Sequence, residues 1–208
     1  MRVALIDYGA GNLRSAFRAL AEAGARPSLA TGPEGLLGAE AIVIPGVGAF
    51  APAMRRLAAA GLVEPLREAA RAGVPIVGIC LGMQLLFERS EEGEPTPGLS
   101  LLGGVVRRLP AGLKVPHMGW NTLEARVSDP ILANLPPQPY VYFVHSYVAA
   151  PEDRGVIVAE TEYGSRFASV VSRGRIWGLQ FHPEKSSRTG AVILRNLLNR
   201  IAAARHPA

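Results

Sequence analysis

The stretch VPIVGICLGMQLLFE runs from Val74 to Glu88 and contains Cys80, the only cysteine among 208 residues. Its first half, VPIVGIC, is an unbroken apolar run of strand length. Past the cysteine, GMQLLFERS has helical spacing and predicts a helix. A strand ending at Ile79 and a helix starting near Gly82 leave Cys80 on a tight corner, with Gly78 and Gly82 two residues to either side to relieve crowding. The G-x-S-x-G turn of α/β hydrolases has this geometry and exposes its nucleophile above the sheet. Such a corner sets the sulfur at a helix N-terminus, where partial positive charge favours a thiolate. It also aims the Leu81 N–H at whatever the sulfur attacks. A lone buried cysteine is more often a small hydrophobe chosen for fit, and GICLG taken alone serves either purpose.

Outward from this corner the N-terminal half repeats one theme. RVALIDY reads as a buried strand, and Asn12 as the cap of a helix through LRSAFRALAEAG that stops at Gly24. AIVIPG is a second buried run, and two helical patterns with breaks at Gly61 and Gly73 lead to VPIVGIC. Strands alternating with helices imply a mostly parallel sheet with right-handed crossovers. After Ser90 the texture changes: GVVRRL, YVYFVHSYV, GVIVAET, RFASVVS and RIWGLQFH read as successive strands with short turns, an antiparallel, strand-rich half. A helix capped by Ser186 or Ser187 closes the chain. No repeat or linker interrupts it, so residues 1–208 are read as a single α/β domain.

Composition narrows the function. With 49% hydrophobic and 19% charged residues the chain can bury a large core. One cysteine excludes an internal disulfide and suits a reducing cytoplasm. No apolar run approaches the roughly 20 residues that cross a bilayer, so no membrane association is expected. The net charge is +5, but the basic residues are scattered and no nucleic-acid motif accompanies them. A solvated surface, with no nucleic-acid partner, is the expectation.

A thiolate needs a base, and the base needs an orienting group. Of four histidines, His206 lies in the tail, and His117 and His145 are too far apart for a recognised metal motif. His182, in LQFHPEKS, is followed by Pro183, which biases it toward extended backbone. Glu184, two residues on, can then accept from the imidazole. Cys80, His182 and Glu184 form the candidate triad. IVIPGVGAF ends a buried strand in Pro45-Gly46-Val47-Gly48, whose backbone N–H groups can approach a developing oxyanion. GAGNLR, from Gly9 to Arg14, begins like a dinucleotide fingerprint, but Arg14 stands where the third glycine belongs. ERSEEGEP reads as a solvated acidic run from which Glu92 could face the site.

Together, GICLGMQ and QFHPEKS resemble the class I glutamine amidotransferase family, over essentially the whole chain. DYGAGNLRS, PGVGAF, PHMGWN and YFVHSY resemble, more narrowly, the glutaminases of histidine biosynthesis. The resemblance implies a flavodoxin-like fold and an enzyme in which Cys80 attacks the side-chain amide of L-glutamine. His182 relays protons, Glu184 orients it, and the N–H groups of Val47 and Leu81 form the oxyanion hole. Gly48, Gln84, Glu92, Ser146 and Tyr147 match positions that hold substrate. It implies no metal or organic cofactor. Ammonia would pass to a cyclase subunit with a (β/α)8 barrel in a heterodimer, with Tyr142 and Lys185 near that interface. A glutaminase partner of pyridoxal phosphate synthase, whose oxyanion segment is of a Gly-Gly-Glu-Ser-Thr type, and a stand-alone cysteine amidase stay open as alternatives. So does a partner-binding domain without catalysis, against which the intact triad argues.

Overall fold

The computed structural model describes residues 1–9 and 11–205; Ala10, in the sequence GAGNLR, and His206 lie outside them. Strands β1 (Arg2–Ile6), β2 (Arg26–Ala30), β3 (Ala41–Ile44) and β4 (Ile76–Ile79) alternate with helices α1 (Leu13–Glu22), α2 (Phe50–Ala59) and α3 (Val63–Arg71). Then come α4 (Leu81–Leu85), β5 (Phe87–Ser90), β6 (Thr96–Pro97), β7 (Leu102–Arg108), β8 (His117–Thr122), β9 (Glu124–Ala125), β10 (Tyr140–His145), β11 (Tyr147–Pro151), β12 (Ile157–Glu162), β13 (Arg166–Arg173), β14 (Ile176–Leu179) and α5 (Ser187–Arg205). The main sheet has the order β2-β1-β3-β4-β14-β13-β12-β9. Its first five strands are mutually parallel and the rest antiparallel.

Alternation along β1 sends Val3 and Leu5 into one core and Ala4 and Ile6 into the other, as a sheet covered on both faces requires. Ala16 and Leu20 of α1 and Ile193, Leu197 and Ile201 of α5 join the first core; Phe50, Leu57 and Leu66 of α2 and α3 join the second. Among the described residues no helix is long and apolar enough to cross a membrane.

Four local readings are corrected. The helix after Cys80 lasts one turn, and Phe87–Ser90 is a strand between β6 and β7. The Leu85 and Leu86 carbonyls, which a longer helix would need, accept instead from the N–H groups of Leu99, Leu101 and Leu102. YVYFVHSYV breaks at Ser146 into β10, paired only with β8, and β11, in a separate four-stranded sheet. The edge strand β2 escaped the reading because RPSLA is largely exposed and carries Pro27, which an edge tolerates. Asn12 occupies the N-cap position of α1 but makes no capping bond with its side chain, which is used elsewhere.

Candidate active site

Cys80 has φ 54° and ψ −111°, a backbone conformation that an L-residue adopts only at a cost of about 1–3 kcal/mol. The neighbouring glycines allow it. A Cβ on Gly78 would lie 2.6 Å from the Met83 Cα, and one on Gly82 would run into the Ile44 carbonyl oxygen. The Cys80 N–H donates to the Leu179 carbonyl at 2.7 Å, so the corner is stitched to β14. As the first residue of α4, Leu81 has no carbonyl one turn back for its N–H to bond.

Strand β14 brings the candidate base to the candidate nucleophile. Leu179 pairs in parallel with Ile79, so Gln180, Phe181 and His182 leave the sheet beside Cys80. His182 Nδ1 lies 2.7 Å from Glu184 Oε1, both side chains being almost wholly buried. The Asn12 carboxamide donates to the same Glu184 oxygen at 2.6 Å. The loop is clamped from β10: the His182 N–H donates to the Tyr142 carbonyl at 2.9 Å. Ser186, read as a helix cap, spends its hydroxyl accepting from the Tyr142 N–H and donating to the His182 carbonyl. Burial works to lower the His182 pKa from 6.5. The nearby Cys80 sulfur and the hydrogen-bonded Glu184 carboxylate outweigh it and push the value up to about 10.

A cavity of about 400 Å³ opens over Cys80, lined by Val47, Gly48, Leu81, Gln84, Glu92, Pro116, Val144, His145, Ser146, Tyr147 and Lys185. It thus gathers both oxyanion candidates and all five residues matched to substrate positions. Glu92 comes in from the acidic loop, one carboxylate oxygen accepting from the Phe50 N–H at 2.7 Å. Gly48 holds φ +100° over open space, a conformation that favours glycine, whereas a Cβ on Gly46 would meet the Tyr8 hydroxyl at 2.6 Å. That hydroxyl donates to the Pro45 carbonyl, anchoring the start of the segment. Tyr142 and Lys185 sit together at the surface, the Lys185 ammonium 5.9 Å from the ring centroid.

Behind the cavity wall runs a directional chain of hydrogen bonds. The Thr122 N–H donates to Asn121 Oδ1, so Asn121 Nδ2 faces His117 Nε2 as a donor, at 3.3 Å. His117 Nδ1 then donates to His145 Nε2 at 3.0 Å, and His145 Nδ1 to the Tyr147 carbonyl at 3.0 Å. Both imidazoles are neutral in this pattern. Burial pulls His117 down to about 4; burial, and then the charge of His117, pull His145 down to about 3. Among the described residues no group of three His, Cys, Asp or Glu side chains could hold a metal ion.

Sequence reasoning missed Asn12 as a partner of Glu184, the His117–His145 contact, and Gln180. For Gln180 a signal existed: it is the one polar residue between Ile176 and Phe181, in a run that reads as fully buried.

Residues 4–201 match the family model for glutamine amidotransferase class-I. The imidazole glycerol phosphate synthase subunit HisH of Moorella thermoacetica is 49% identical over 194 residues, covering 93% of this chain and 92% of that protein. HisH of Synechococcus elongatus is 45% identical over 207 residues, covering 98% and 95%. A solved glutamine amidotransferase structure superposes with a TM-score of 0.76 at 22% identity, over 96% of this chain and 98% of its own. PurLQS from Thermotoga maritima gives the same figures. At that identity the two structures speak for the fold alone.

Proposed function

The chain belongs to the class I glutamine amidotransferase family, and on that premise we infer that it is the glutaminase subunit of imidazole glycerol phosphate synthase. It hydrolyses L-glutamine to L-glutamate and ammonia, and the ammonia goes to a cyclase subunit in histidine biosynthesis. The observation that carries this reading is the conjunction of near-full-length relatives of that one name with a buried Cys80, His182 and Glu184 beneath a cavity.

The chemistry follows from the site. The Cys80 sulfur attacks the amide carbon of glutamine, and the carbonyl electrons move to oxygen, where the N–H groups of Leu81 and the Val47 segment receive them. His182, held protonated, gives its Nε2 proton to the departing nitrogen, and ammonia leaves a thioester. The neutral imidazole then takes a proton from water, whose oxygen attacks the thioester carbon; collapse frees glutamate and the sulfur. Glu184 keeps the imidazole oriented and stabilises its charge. Gly48, Gln84, Glu92, Ser146 and Tyr147 hold the substrate.

The partner is a cyclase with a (β/α)8 barrel. Tyr142 and Lys185 belong to the face it meets, where Met118, Trp120 and Tyr140 are at least half exposed on the antiparallel pair β8 and β10. Residues 1–208 act as one catalytic domain in the cytoplasm, where the Cys80 thiol stays reduced. The test is the glutaminase rate of the chain alone, with the cyclase, and with the cyclase plus its ligand, in the parent and in Cys80→Ser. We expect turnover that rises with partner and ligand and vanishes in Cys80→Ser, while added ammonium still feeds the cyclase. Equal rates in all three mixtures would favour the stand-alone amidase.

A further inference from the structure

We propose that Gln180 is a catalytic residue whose carboxamide N–H binds the Cys80 sulfur and stabilises it as a thiolate. Gln180 is fully buried just past the end of β14, and a carboxamide there must find partners for both its ends. Which end faces the sulfur follows from an obligate acceptor. The Tyr147 backbone carbonyl can only accept, so the Gln84 atom 2.8 Å from it is the amide nitrogen. That nitrogen has a second hydrogen and lies 3.1 Å from one end of the Gln180 carboxamide, which must therefore be its oxygen. The other end, Gln180 Nε2, is left 3.9 Å from Cys80 Sγ. Reversing Gln180 would set two NH2 groups against each other.

Besides the His182 imidazole, the sulfur lies 3.8 Å from the Val144 carbonyl. A thiol can donate to it; a thiolate cannot. On ionisation the sulfur loses that bond, while the Gln180 N–H becomes charge-assisted and stronger. The five-residue α4 aligns few peptide dipoles, which leaves side-chain donors to carry the load. The same N–H would serve twice, on the attacking sulfur and on the sulfur released when the thioester is hydrolysed. Only this second service rests on the glutaminase reading.

The test uses iodoacetamide, which needs no glutamine and finds one thiol in the chain. Gln180→Met keeps the length and removes the donor. Alkylation near neutral pH, followed by intact mass, should slow by roughly tenfold to a hundredfold, the range for a hydrogen bond to a charged group, with the rate–pH profile displaced to higher pH. With the cyclase present, kcat for glutamine should fall by a similar factor and KM hardly move. A variant that melts with the parent and is alkylated at the parental rate, on an undisplaced profile, sinks the proposal. If Gln180→Met does not fold, the parent decides. One Gln180 side-chain amide proton should move downfield as Cys80 ionises and return on alkylation; a resonance indifferent to both overturns the assignment. Slowed alkylation in a protein that turns over no glutamine would leave Gln180 standing and remove the glutaminase reading instead.

Discussion

His182 and the His117–His145 pair are comparably hidden from water, at 1%, 4% and 6% exposure, yet burial decides the charge of the pair only. His182 has an acidic oxygen at 2.7 Å on one nitrogen and a sulfur near the other, and its pKa is driven up to about 10. The pair has only a neutral amide, a carbonyl and each other, and falls to about 4 and about 3. Desolvation penalises charge in all three; only His182 has anionic partners to repay it. The difference separates two jobs. A ring that can hold and release a proton does chemistry, and a ring locked in one tautomer holds the Tyr147 carbonyl that Gln84 also binds.

Breaking the charged side should cost most. His182→Ala should lower glutaminase kcat by on the order of a millionfold, as for other triads, and Glu184→Gln by less, roughly ten-thousandfold, because it only positions the ring. A Glu184→Gln variant as inactive as His182→Ala would mean the carboxylate moves protons itself. Asn12→Ala removes a charge-assisted donor from Glu184 and should cost kcat about tenfold to a hundredfold, with KM little changed; an unchanged kcat would show that Glu184 needs no second support.

The contrast should also appear in stability against pH. His117 and His145 bind fewer protons folded than unfolded between about 3 and 6.5, so their contribution is complete above 6.5 and is lost as pH falls toward 4 and 3. His182 binds more protons folded, so its contribution is complete below 6.5 and is lost as pH rises through about 10. Melting temperatures should therefore drop on both sides of neutrality. His117→Phe should flatten the acid limb and His182→Phe the alkaline one; if either substitution flattens both, the separation is wrong. The smallest effect is expected from His145→Phe: KM for glutamine up by roughly fivefold to tenfold through loss of a modest hydrogen bond, with kcat nearly intact.

The sheet, its parallel half and the candidate triad, whose His182 and Glu184 meet as expected, were legible because their signals are local. Apolar runs, a cysteine between glycines and a His-Pro-Glu each declare themselves within a few residues. The rest depended on partners far along the chain. Asn12 reads as a cap until Glu184, 172 residues away, claims its amide. Phe87–Ser90 has helical spacing until β6 and β7 pair with it. His117 and His145 form no motif in sequence, and come together because β8 and β10 pair in a register that sets them opposite one another.

The most direct test is a long-range ¹H–¹⁵N spectrum of the three buried imidazoles at pH 8. The account predicts protons on both nitrogens of His182, and on Nδ1 alone for His117 and His145. A neutral His182, or a proton on both nitrogens of either partner in the pair, would contradict the claim that neighbours, and not burial, divide these histidines into a proton carrier and a strut.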